Sequence, residues 1–228
     1  KEEIFDPLGS KRFPEFGQIT HNKKVKKIVC TEFGYAALFN DKSLYLTDGI
    51  LDRSFLWTLT EQYVEGEFID IDACGNSLSA ISTNLFHYWR LVERPIKNIF
   101  MDIEKPLPNI SVVQVSKGIT ASLVLTDKGE VYDFYPQSAR LLKFPNPITY
   151  IFSSNISGAI DNTGRVYLWG SHISRYIKSN EKHLQSGDII EIDLGQPVIM
   201  GASPDYGHQL IFLTDDRKIL ITKPINWV

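Results

Sequence analysis

The chain has 228 residues, 43% of them hydrophobic and 12% aromatic, which suffices for a sizeable core and excludes a disordered chain. Its 24 Lys and Arg against 27 Asp and Glu leave a formal net charge of −3, which excludes nucleic-acid binding by bulk charge. No apolar run approaches the roughly 18 residues of a membrane span, and residues 1–8 lack the apolar stretch of a signal peptide.

In chain order, the first clear element is an apolar strand over Val25–Cys30, set in the basic run Lys23, Lys24, Lys26 and Lys27. A hairpin follows over residues 38–46, with Asn-Asp-Lys-Ser at its turn and Ser43 expected in the place a turn glycine would take. Residues 51–62 and 173–185 are the two stretches that carry a short helical reading. A second strand covers 68–73, and a shorter hairpin runs from Ser79 through Asn84 to Trp89. A third strand, 112–115, precedes two apolar runs flanking Asp127-Lys128-Gly129. A fourth, 148–152, precedes a hairpin around Gly164 that carries Val166-Tyr167-Leu168-Trp169. A fifth, 198–200, precedes a hairpin over 211–221 with Arg217 at its turn. Gly129 and Gly164 are expected at positive φ, the conformation such turns demand.

Five copies of one unit are therefore visible, an apolar strand followed by a hairpin. Their equivalent strand ends fall at Glu32, Gly75, Gly118, Ser153 and Tyr206, at intervals of 43, 43, 35 and 53 residues. Uneven loops on a constant strand unit are the mark of a repeat array. One such unit buries a single face and is unstable alone, whereas radial stacking covers each sheet with its neighbours. The expectation is an all-β chain, a single β-propeller domain over residues 1–228 with about five recognisable repeats of roughly 35–53 residues. A pair of immunoglobulin-type sandwiches is the rival, and it lacks the recurring Leu-Thr-Asp figure.

These residues resemble the regulator-of-chromosome-condensation repeat family. Its repeat runs, in outline, Gly-x-x-His-Ser-x-x-Leu-Thr-x-x-Gly-x-Val-Tyr-x-Trp-Gly. Gly118, Ser122, Leu125, Thr126, Gly129, Val131, Tyr132 and Phe134 follow that figure, and Gly164, Val166, Tyr167, Trp169 and Gly170 follow its second half. Leu8-Gly9-Ser10 with Phe16-Gly17-Gln18 resembles the end of one hairpin and its loop, and Cys74-Gly75 the small-residue entry to another. The family histidine is absent, with Ala121, Leu78 and Ile156 in its place and His208 one position out of register. The family usually has seven blades, so the resemblance implies a divergent or incomplete propeller. It also implies that Trp169, and by analogy Trp89, packs between blades. The founding member is a nucleotide exchange factor for a small GTPase; other members are adaptors, including partners of tRNA- and diphthamide-modifying complexes.

Signatures of catalysis are missing from the sequence. There is no phosphate loop, no nucleophile elbow and no HExxH, and His21, His87, His172, His183 and His208 are unpaired in sequence. Cys30 and Cys74 form no CxxC and read as two buried, reduced thiols of a cytoplasmic or nuclear protein. Asp70 and Asp72 share a strand face and could do acid–base work, but a solvent-facing strand edge is the preferred reading. The lysines at 23–27 read as a solvated strand edge ahead of a nuclear-localisation or acidic-partner patch. No catalytic residue, cofactor or metal is expected. Phe55, Leu56 and Trp57, with Arg175 and Tyr176 of the long insertion 171–188, lie outside the repeat figure and carry bulky aromatics and arginine. Such residues dominate binding hot spots, so they are the candidate partner-binding set, in inter-blade loops. The expected function is a non-enzymatic scaffold or adaptor with protein partners, a small GTPase or a larger complex among them. The alternatives are an exchange factor and a regulatory subunit of a tRNA- or diphthamide-modification complex.

Overall fold

The computed structural model describes residues 23–31, 35–51, 57–64, 66–83, 85–90, 105–106, 111–119, 121–135, 138–170, 173, 188–203 and 209–222. Their strands form five antiparallel sheets in chain order. The first holds β1 (Val25–Cys30), β2 (Tyr35–Phe39), β3 (Leu44–Leu51) and β4 (Trp57–Val64). The second holds β5 (Phe68–Cys74), β6 (Ser77–Ser82), β7 (Leu85–Arg90) and β8 (Lys105–Pro106). The third holds β9 (Val112–Lys117), β10 (Ser122–Thr126), β11 (Val131–Tyr135) and β12 (Ser138–Leu142). The fourth holds β13 (Ile148–Ser153), β14 (Ser157–Asp161), β15 (Val166–Trp169) and β16 (Ile190–Ile192), and the fifth β17 (Val198–Ala202), β18 (Ile211–Thr214) and β19 (Ile219–Ile221). The first strand of each sheet packs against the first strand of the next, β1 to β5 to β9 to β13 to β17. These are the inner strands of consecutive blades, and the architecture is a β-propeller.

All five inner strands begin at the residues read from the sequence and share one irregularity. In each the second residue (Lys26, Ile69, Val113, Thr149 or Ile199) is skipped in the pairing with the following strand. A bulge of this kind bends the strand and re-aims its side chains. The first and fourth residues then turn toward the preceding blade. Phe68 and Ile71, Val112 and Val115, and Ile148 and Ile151 are all buried there. The equivalent pair of the first blade, Val25 and Ile28, is 49% and 57% exposed.

The apolar core is divided among the seams between blades. Leu38, Leu44, Leu46, Phe68, Ile71 and Trp89 fill the first seam. Ile81, Phe86, Val115, Val124 and Phe134 fill the second. Leu125, Leu142, Ile151, Tyr167 and Trp169 fill the third, and Phe152, Ile160, Leu168, Val198 and Phe212 the fourth. Trp89 and Trp169, each 3% exposed, pack between blades as expected.

Four of the five hairpins from the second to the third strand turn on one residue at positive φ: Lys42 at 68°, Gly129 at 78°, Gly164 at 83° and Arg217 at 66°. Its N–H closes the turn on the carbonyl three residues back, at 2.9–3.0 Å. In the first blade that residue is Lys42 and not Ser43, one position from the expectation. The backbone conformation, not the presence of a small residue, sets the register. The same residue accepts from the first strand of the next blade: Lys42 from Phe68 N, Gly129 from Ile148 N and Gly164 from Val198 N. A Cβ on Gly129 or Gly164 would stand 2.6 Å from the Cβ of Pro147 or Pro197, so glycine there answers both the φ and the close approach.

Two further sequence readings are corrected. Residues 57–64 are β4, not helix, because residues 44–51 offer them a full-length antiparallel partner. Cys30 is exposed, whereas Cys74 is buried, and neither is in a disulfide. Cys30 lies on the same open face of β1 as Ile28, where no sheet among the described residues precedes it. The second helical reading, 173–185, lies outside the described residues except for Ile173, which is buried.

Candidate functional site

The paired carboxylates Asp70 and Asp72 lie on an inner strand, β5, where they join blade to blade. Asp70 is 7% exposed; its Oδ2 accepts the Val115 N–H at 2.9 Å and its Oδ1 the Lys27 ammonium at 3.1 Å. Asp72 Oδ2 accepts the Lys117 N–H at 2.8 Å and the Ser116 hydroxyl at 3.0 Å. The two carboxylates thus cap alternate amides on the free edge of β9. Their strand edge faces the next blade rather than solvent, which corrects the sequence reading. One seam further on, Gln114 accepts the Ile151 N–H at 3.1 Å and donates to the Ile151 carbonyl at 2.8 Å. Lys27, Asp70 and Gln114 occupy the same place in their blades, so one position supplies the rung at three successive seams.

Electrostatics along this line follow from crowding. Burial pushes the Asp72 carboxyl up from 3.8, against the opposing pull of Lys27, the Lys117 amide and Ser116. Burial, then the charges of Asp72 and Asp70, pushes the Tyr150 phenol up. The basic run is part of the same scaffolding. Lys23 pairs with Asp41 at 2.8 Å, Lys26 donates to the Ile69 carbonyl at 2.6 Å and Lys27 binds Asp70, while Lys24 is exposed.

A second polar hub, missed in the sequence, is Asp161 at the end of β14, 1% exposed. Its Oδ1 accepts from Thr163 N (2.8 Å), Thr163 Oγ1 (2.7 Å) and Arg165 N (3.0 Å). Its Oδ2 accepts from Asn146 Nδ2 (2.9 Å) and the Tyr167 hydroxyl (3.0 Å). Burial pushes this carboxyl up, but the bonds from Asn146, Thr163 and Arg165 together outweigh it and hold it at about 2. Tyr167 is pushed up to about 12 by burial and by its bond to Asp161. The spacing Asp-x-Thr-x-Arg was the only available signal, and it reads equally as an ordinary turn.

His87 is 7% exposed, stacked on Trp89 with ring centroids 5.4 Å apart, and bonded to Ser82 Oγ at 2.8 Å. Among the described residues, no three His, Cys, Asp or Glu converge as a metal site. An open groove of about 340 Å³ runs beside the blade-4 turn, from Thr163 and Arg165 to Asp193 and Gln196. Its one facing ion pair, Arg165 with Glu191 at 3.1 Å, is exposed.

Of the residues chosen as partner-binding, Phe55, Leu56, Arg175 and Tyr176 lie outside the described residues. Trp57 is placed by its backbone at the start of β4, opposite Leu51, and so stands in a strand rather than a loop. In an antiparallel blade the first and third strands run the same way. Leu51 and Trp169, where β3 and β15 end, therefore lie at the end of the propeller where the inner strands finish. The hairpins of Lys42, Gly129, Gly164 and Arg217 occupy the opposite end.

No family model and no curated protein sequence matches the chain. Its structure resembles that of human WBSCR16 at a TM-score of 0.70 and 15% identity, over 89% of this chain and 62% of that one. Yeast RCC1 (Prp20), in a structure with Kap60, matches at 0.64 and 11%, over 86% and 55%. Prp20p from Saccharomyces cerevisiae, described with its binding properties to Gsp1p and histones, matches at 0.60 and 11%, over 84% and 56%. The chain spans 55–62% of the length of these proteins. At such identities the likeness is one of fold. The class is therefore a β-propeller; more narrowly, the fold is that of the chromosome-condensation-regulator, or RCC1, propellers.

Proposed function

We propose that this chain is a non-enzymatic protein-interaction scaffold, which docks a protein partner through the end of the propeller where β3 and β15 finish. Phe55, Leu56, Trp57, Arg175 and Tyr176 are its contact residues. One observation carries the reading: among the described residues, the paired carboxylates that could do acid–base work are already engaged in holding the propeller together. Lys27, Asp70 and Asp72 join blades, and Asp161 fastens a turn. Loops on a rigid frame are a usual seat of function. The similarity to Prp20, described with Kap60, Gsp1p and histones, supports protein partners as a class. A cytoplasmic or nuclear setting goes with that reading.

Co-purification of the tagged protein with its partners is the test. Tyr176→Ala and Phe55→Ala should leave melting unchanged and lose the partner. If both variants stay folded and keep every partner, the contact surface lies elsewhere. The second reading, exchange on a small GTPase, is favoured by the Gsp1p binding described for Prp20p. It requires catalytic amounts of the protein to speed nucleotide release from such a GTPase. A subunit role in a tRNA- or diphthamide-modifying complex would appear as that complex among the co-purifying proteins.

A further inference from the structure

We draw no further inference here: the strongest candidate, the apolar outer face of the fifth sheet around Met200, Ile211, Ile219 and Ile221, carries nothing because nothing in the structure shows what covers it.

Discussion

Replacing Asp70 by alanine removes two bonds across two seams at once. The Val115 amide, 2.9 Å from Oδ2, loses a charged acceptor in a buried setting. A bond of that kind contributes about 1.5–3 kcal/mol, and leaving the amide unpaired incurs its desolvation cost. The Lys27 ammonium, on a side chain one-third exposed, loses its ion pair at 3.1 Å, which adds under about 1 kcal/mol. The sum is about 3 kcal/mol, or a fall in Tm of roughly 6–12 °C for a domain of this length. Asp70→Asn keeps an acceptor for Val115 and should lose about half as much. Urea unfolding should show a lower midpoint with an unchanged slope. The exposed Asp127 provides the control, since Asp127→Ala should stay within about 0.5 kcal/mol. If Asp70→Ala unfolds no more easily than Asp127→Ala, the rung between blades contributes nothing and the reasoning fails.

The Asp161 carboxyl, held at about 2 against an ordinary 3.8, makes a pH prediction. A depressed folded-state pKa gives stability that is present above pH 4 and is lost as pH falls toward 2. The shift corresponds to about 2 kcal/mol, and Asp161→Asn should flatten that part of the stability curve. At the other extreme, Tyr167, raised to about 12, gives stability that is full below pH 10 and fades between 10 and 12; Tyr167→Phe should abolish the fade. In the fourth seam the Phe152 ring lies between Gly158 and Gly201, where an added Cβ would overlap it. Gly158→Ala should cost about 1–3 kcal/mol by overpacking, and less in a Phe152→Leu background. A double-mutant cycle with no coupling would exclude the ring as the obstacle.

The inner strands were legible because four of the five carry apolar residues at the first and fourth positions, with Gly201 in the fourth place of β17, and because the hairpin figure recurs after every one. Gly129 and Gly164 marked their turns because only a rare backbone conformation fits there. Lys42 and Arg217 hold the same conformation without a glycine, so the first turn was displaced onto Ser43. The polar seams were not legible. Asp70 and Asp72 show their alternation in the sequence, but their partners Val115, Ser116 and Lys117 lie about 45 residues away. Whether a carboxylate meets water or a strand edge depends on which blade stands beside it. The same nonlocality misled the reading of 51–62. Glu61 and Gln62 favour a helix locally, yet pairing with Thr47 and Leu46 prevails. Cys30 shows the converse, since its strand pattern calls for burial and only a preceding sheet would supply it.

Amide hydrogen exchange, with and without the co-purifying partner, tests directly whether the partner docks at the end of the propeller where β3 and β15 finish. Binding should slow exchange in peptides covering residues 52–56 and 171–187. It should leave unchanged the peptides that contain the turns at Gly129 and Gly164. Protection confined to the turn peptides would place the partner at the opposite end and contradict the proposed docking surface.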